Sequence, residues 1–261
     1  MIRFKNISRA QLKSYQKLTQ KKYRQTEGKF IVEGERSIKE ALTSDWEIEA
    51  LLVTERGGAI IEYGTFKHIP IYQVSEKELE TMSDTVSSQG IIAIVNQKKV
   101  SISNYWKNMP AHAVAVMLDG VSDPGNVGTI IRTSDWFGVD AVLLSRNCVE
   151  LYNQKVVRST MGSLFHIPIV TEVEVKQALE EARSENFVII TAVVNDGVTL
   201  TEFNPPERSL IIFGNEAHGV SPDVESFADV KITIPKFGSA ESLNVGIAAG
   251  IILYYFAISR V

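Results

Sequence analysis

Three short runs in this chain combine a cation, an acid, side-chain amides and a hydroxyl with closely spaced glycines. Asn126 and Arg132 stand inside residues 118–133 (LDGVSDPGNVGTIIRT), Gly214-Asn215-Glu216 follows, and Ser242-Leu243-Asn244-Val245 closes the set. None of the three supplies a histidine or cysteine, so no side chain in them has an ordinary pKa near neutrality. Arg132 is normally protonated at all accessible pH. Gly125 and Gly128 leave room for a backbone or phosphate to approach a helix N-terminus, whose free N–H groups and dipole favour an anion. Arg132 lies off the apolar face formed by Val127, Ile130, Ile131 and Ser134, free either to meet a ligand or to pair with Asp135 or Asp119. Asn215-Glu216 reads as a turn with a capping acid or as an acid delivered to a strand end. Ser242 reads as the N-cap of the last helix and as a fixed point for a ligand-binding loop.

These runs need a scaffold, and the hydrophobic periods supply one. Residues 8–25 read as a helix starting at Ser8, followed by strand 30–32, helix 35–42, strands 49–54 and 69–74, helix 75–82 with Ser75 and Glu78 in a capping box, and strand 90–96. Residues 97–110 (QKKVSISNYWKNMP) lack a sustained period, and a linker is expected over 97–112. From Ala113 the alternation strengthens: strands 113–118, 141–145, 167–170, 188–194, 210–213 and 231–234, with helices 126–137, 154–163, 175–184 and 243–258 between or after them. The fully apolar run Ala113–Leu118 suits a parallel strand buried on both faces. The expected fold is therefore α/β: a C-terminal parallel-sheet domain of about six strands, residues 113–261, preceded by a smaller α/β domain, residues 1–96. All three chemical runs fall at the carboxyl ends of parallel strands, where such sheets bind ligands. The dinucleotide fingerprint G-x-G-x-x-G does not fit the loop after the first of those strands.

Composition narrows the class. The chain has 261 residues, 44% apolar, with a net charge of −4. Residues 1–40 hold 11 Lys/Arg against 4 Glu, and the rest holds 16 against 27, so any polyanion contact is expected at the N-terminal end. The alternative is a solvated basic helix. One cysteine, Cys148, excludes an internal disulfide, and four scattered histidines show no ligand spacing, so no metal is expected. The longest apolar stretch, Val245–Ile258, falls short of a membrane span and no apolar leader follows the basic start; a cytoplasmic protein is expected.

Together the three runs resemble the SpoU/TrmH family of RNA 2'-O-ribose methyltransferases, and the resemblance extends weakly over the first 100 residues. It implies a trefoil knot, an exception to the rule against knots. It also implies S-adenosyl-L-methionine as cofactor, held mainly by backbone groups around Gly214, Asn215, Ile234, Leu243 and Val245, with Thr191, Ala192 and Val193 at the neighbouring strand end. A homodimer completes the active site, so that Asn126 and Arg132 can serve a cofactor next to the partner chain. Asn126, Arg132, Glu216, Ser242 and Asn244 match the family's catalytic positions; Ala217 and Gly246 depart from it, both by small residues. Residues 158–168 resemble a further family signature, with Arg158 either an RNA contact or a structural cap. The N-terminal part is similar to a ribosomal-protein-like RNA-binding domain, in which Lys21, Lys22 and Arg24 would grip phosphate and Tyr23 would stack a base.

The implied reaction is methyl transfer to a ribose 2'-hydroxyl. Arg132 would be either its base, with or without help from a substrate phosphate, or a cation stabilising the developing alkoxide; Glu216 with Ser242 or Asn244 would orient it. Ribosomal RNA is the preferred substrate and transfer RNA the second. A base methyltransferase on the same scaffold and a non-catalytic RNA-binding protein of ribosome assembly are the competing readings.

Overall fold

The computed structural model of the chain describes residues 4–57, 68–85 and 88–260, with only the backbone described for 102–104. Met1–Arg3 of the basic segment therefore lie outside the described residues. In chain order the elements are α1 (Arg9–Lys17), α2 (Lys21–Glu27), β1 (Lys29–Glu33), α3 (Glu35–Thr43), β2 (Ile48–Val53), β3 (Ile71–Gln73), α4 (Glu76–Glu80), β4 (Ile91–Asn96) and α5 (Ile102–Asn108). They continue with β5 (Ala113–Asp119), α6 (Pro124–Trp136), β6 (Ala141–Ser145), α7 (Gln154–Ser159), β7 (Ile169–Val173), α8 (Val175–Ser184) and β8 (Val188–Val193). The last are β9 (Val198–Thr199), β10 (Arg208–Gly214), α9 (Pro222–Phe227), β11 (Val230–Thr233) and α10 (Val245–Ile258). Two compact units result: residues up to Lys98 together with Tyr152–His166, and Lys99–Leu151 together with the chain from Ile167 onward.

In the first unit the sheet order is β1-β4-β2-β3, antiparallel except for β2 with β3. The helix expected over 8–25 is two helices. Ser8 caps α1 as expected, accepting from Gln11 N, but the chain turns extended at Gln20 before α2 begins. The carbonyls released at that break are taken by Arg24, whose Nη1 donates to Leu18 O and Thr19 O, each at 2.9 Å. Arg24 is 3% exposed. The expectation that it grips RNA is corrected: its guanidinium ties the two helices together, because buried carbonyls without donors would be costly. The Ser75–Glu78 capping box is formed as the sequence indicates.

Tyr152–His166 belongs to this unit although the sequence places it within the C-terminal domain. The physical reason is aromatic: Tyr152 lies 4.6 Å from Phe30 and Phe165 lies 5.4 Å from Trp46, ring to ring. Gln154 Nε2 donates to Met82 O at 2.7 Å, and Arg158 pairs with Asp84 at 2.9 Å.

The second unit is a sheet of seven parallel strands in the order β7-β6-β5-β10-β8-β11-β9. The seventh, β9, has two residues, too few to leave a period in the sequence. β5, β6 and the centre of β10 are buried on both faces, as their continuous apolar runs demand. The expected linker contains α5, whose Trp106 is buried in this unit's core against Phe187, 4.9 Å between rings. The last helix begins at Val245, and its N-cap is Asn244 rather than Ser242. Among the described residues no helix is long and apolar enough to cross a membrane, and no group of three or more His, Cys, Asp or Glu could hold a metal ion.

Candidate active site

The carboxyl ends of β8, β10 and β11 open onto one cavity of about 780 Å³. Its floor is apolar, with Phe213, Ala248 and Ile252, and its walls are the segments 214–219 and 233–245. Of the eight residues assigned to the cofactor by resemblance, Ala192, Val193, Gly214, Asn215, Ile234, Leu243 and Val245 line this cavity. Thr191 does not. It is fully buried in β8 between β10 and β11, one position before the lining begins, and its hydroxyl lacks a partner among the described residues.

The loop after β10 is folded by its own residues. Asn215 N donates to Gly219 O at 2.7 Å and Gly219 N returns a bond to Asn215 O at 2.9 Å, while Asn215 Oδ1 accepts from Ala217 N and His218 N. A Cβ on Gly214 would stand 2.2 Å from the Gly219 carbonyl carbon, so only glycine permits this return. Asn215 Nδ2 then reaches across to Gly120 O at 2.8 Å, joining the end of β10 to the end of β5.

The three runs meet in a chain of side-chain hydrogen bonds. Asn244 Nδ2 donates to Asn126 Oδ1 at 2.9 Å, and Asn126 Nδ2 donates to Glu216 Oε1 at 2.9 Å. The amide orientations follow from the ends of the relay. A carboxylate only accepts, so Asn126 must present its NH₂ to Glu216; Asn244 must present its oxygen to the Gly246 and Ile247 N–H groups it caps. Glu216 also accepts from the backbone N–H of Ser122 at 3.3 Å and of Asp123 at 3.2 Å. Partial burial pushes the Glu216 carboxyl up, but the Asn126 amide and the backbone donors outweigh it and hold the pKa below the usual carboxylate value. Glu216 is thus a committed acceptor and organiser, not a base for near-neutral pH.

The N-terminus of α6 does not present a free anion site. Asp123 Oδ1 accepts from Asn126 N at 2.9 Å, and an added Cβ on Gly125 would stand 2.9 Å from that same oxygen. The expected approach of a phosphate is corrected: the glycine makes room for the capping carboxylate of the chain itself. Gly246 has a comparable reason, since a Cβ there would meet Thr129 of α6 at 3.3 Å.

Arg132 is not part of this cluster. It is exposed on α6, outside the cavity lining, and no hydrogen bond or ion pair holds its guanidinium among the described residues. Neither Asp119 nor Asp135 takes it; Asp119 Oδ2 accepts from Ser221 N at 2.6 Å. Ser242 is exposed and lines the cavity. Arg158 pairs with Asp84 as described, and Lys21 and Lys22 are exposed on α2. Sequence reasoning missed the parts played by Ser122 and Asp123, whose backbone N–H groups, with the Ser122 hydroxyl, donate to Glu216, and missed Lys236 on the cavity wall.

Known protein families divide the chain in a similar way. Residues 113–254 match the model of the SpoU rRNA Methylase family, and residues 9–93 match that of the MRM3-like substrate binding domain. The chain is 32% identical over 257 residues to the 23S rRNA (guanosine(2553)-2'-O)-methyltransferase RlmP of Bacillus subtilis, covering 98% of this chain and 99% of that protein. It is 26% identical over 196 residues to the 23S rRNA (guanosine-2'-O-)-methyltransferase RlmB of Neisseria meningitidis, covering 74% of this chain and 78% of that protein. The crystal structure of an AdoMet-bound rRNA methyltransferase from Sinorhizobium meliloti superposes with a TM-score of 0.85 at 28% identity, covering 97% of both chains.

Proposed function

The chain belongs to the SpoU rRNA methylase family, and on that premise we propose that it transfers a methyl group from S-adenosylmethionine to a ribose 2'-hydroxyl of ribosomal RNA. The observation that carries this reading is the Asn244–Asn126–Glu216 relay beside a cavity open at the carboxyl ends of parallel strands. A binding-only protein has no need of it. The donor set fits the cofactor: an apolar floor for a flat adenine, loop backbone on two sides, and open space at Gly238, where an added Cβ meets nothing within 4 Å. The cofactor supplies a methyl on a sulfonium, ready for in-line attack.

The chain's own residues then orient and stabilise. Glu216 and Asn126 hold the end of β5 against the end of β10, and Asn244 locks the start of α10 to both. Arg132 remains cationic and stabilises the negative charge that develops on the ribose oxygen, whose proton leaves to a substrate phosphate or to water. It does so in a homodimer, for the cofactor bound by a second copy. Support for the dimer comes from α10: Ala249, Ile252, Leu253 and Phe256 are buried, while Ile247, Ile251, Tyr254 and Ile258 are exposed on its other side, and Trp136 at the end of α6 is 83% exposed. A helix apolar nearly all round needs a cover on both faces. The C-terminal unit carries the family's trefoil knot, residues 1–96 form the RNA-binding domain, with Lys21, Lys22 and Arg158 toward the substrate, and the protein works in the cytoplasm.

Incubation with labelled S-adenosylmethionine and rRNA from a strain lacking the gene, followed by digestion to nucleosides, tests the reading. A 2'-O-methylated nucleoside is the expected product. Label on a base, label only in transfer RNA, or no transfer at all would each replace it with one of the competing readings.

A further inference from the structure

Among the described residues, three charged side chains line the cavity: Glu216, Lys236 and Glu241. Glu216 is engaged by the amide and backbone donors of the relay. Lys236 and Glu241 differ from it, being exposed at the cavity wall with no hydrogen bond or ion pair among the described residues. Both belong to the connection from β11 to α10, whose other cavity-lining residues are uncharged and whose Asn244 amide is engaged in the relay. Opposite charges in one short loop that do not pair with each other are available to a ligand carrying both signs.

We propose that Lys236 and Glu241 read the amino-acid end of S-adenosylmethionine, Lys236 binding the α-carboxylate and Glu241 the α-ammonium. The assignment rests on the reading of this cavity as the cofactor site. Neutral backbone dipoles can hold the adenine and ribose, but a zwitterionic tail left in a half-open cavity gains from one charge of each sign. A compact ammonium on a flexible stem suits a carboxylate whose position varies with the bend of the ligand. Because both side chains are exposed, solvent screens each interaction, and about two- to fivefold in affinity is the expected size of each.

Calorimetry on the full chain decides it, with S-adenosylmethionine, its decarboxylated analogue and 5'-methylthioadenosine as ligands. Lys236→Met weakens S-adenosylmethionine about two- to fivefold and leaves the other two unchanged. Glu241→Gln weakens S-adenosylmethionine and the decarboxylated analogue alike, since both keep the ammonium, and spares 5'-methylthioadenosine, which also reports that the variant is folded. Unchanged affinity in both variants, or equal loss for all three ligands, overturns the assignment while leaving the cofactor site in place. A Lys236→Met variant that loses only RNA affinity overturns it in favour of a phosphate-binding role. Failure of the unaltered protein to bind S-adenosylmethionine overturns the cofactor reading together with it.

Discussion

Asn126 and Asn244, 118 positions apart, meet through a 2.9 Å hydrogen bond that joins the first turn of α6 to the N-cap of α10. Each amide has its other end occupied, by Glu216 and by the helix N–H groups respectively, so neither can rotate without losing a bond at both ends.

Asn244→Ala is therefore expected to cost about 1 kcal/mol through the lost cap alone, and to lower methyl transfer by loosening the loop. Asn126→Ala should weaken transfer too. If the two residues act as one unit, the double variant is no worse than the sum less the shared bond, a coupling of about 0.5 kcal/mol or more in a double-mutant cycle. Strict additivity in urea unfolding would contradict the relay.

The depressed pKa of Glu216 sets a pH dependence. A carboxyl whose folded pKa lies below its unfolded value contributes stability that is present above the unfolded value and lost as pH falls through the folded one. Glu216→Gln should thus be less stable than the unaltered chain at neutral pH, and the gap should shrink on acidification below the ordinary carboxylate range. Urea midpoints at neutral and acid pH check this; a gap that widens in acid would be contrary.

Arg132→Ala should lower kcat by about 100- to 1000-fold, the scale for loss of a group that stabilises transition-state charge. Cofactor affinity should be nearly unchanged, because in the proposed arrangement Arg132 faces the ribose of the substrate rather than the adenosine of the cofactor. Arg132→Lys should fail as well, since an ammonium does not reproduce the planar fork. Substantial turnover in either variant removes Arg132 from the mechanism.

Lys21→Ala with Lys22→Ala should flatten the salt dependence of RNA binding by about 0.7 to 0.9 log unit for each phosphate no longer neutralised, and leave cofactor binding intact. Arg24→Ala belongs to a different experiment. Its guanidinium is buried on two carbonyls, so its removal should destabilise the first unit by about 1 to 3 kcal/mol with no direct change in salt slope.

If the protein is the proposed homodimer, Ile251→Asp on the exposed side of α10 should give a monomer in light scattering and abolish transfer, since Arg132 would lose its partner site. Activity retained by a monomer would refute the shared site.

The alternating α/β order, the parallel strands and the three runs at their carboxyl ends were legible in the residues alone, because apolar periods, caps and strand-end polarity are local properties. The Ser75–Glu78 box and the Ser8 cap could be read for the same reason: each spans three residues. What depended on distant partners could not. Arg24 looked like one more cation of a basic helix until the break at Gln20 exposed two carbonyls for it to bind. Ser242 and Asn244 have comparable cap propensity, and the choice of Asn244 came from Asn126 holding its amide in place. Tyr152–His166 carried a helical pattern that could serve either unit, and Phe30 and Trp46 decided which. The separation of Arg132 from Glu216 likewise emerged from the folded chain, because periodicity says which face of a helix is exposed, whereas the packing of whole elements says what that face can reach.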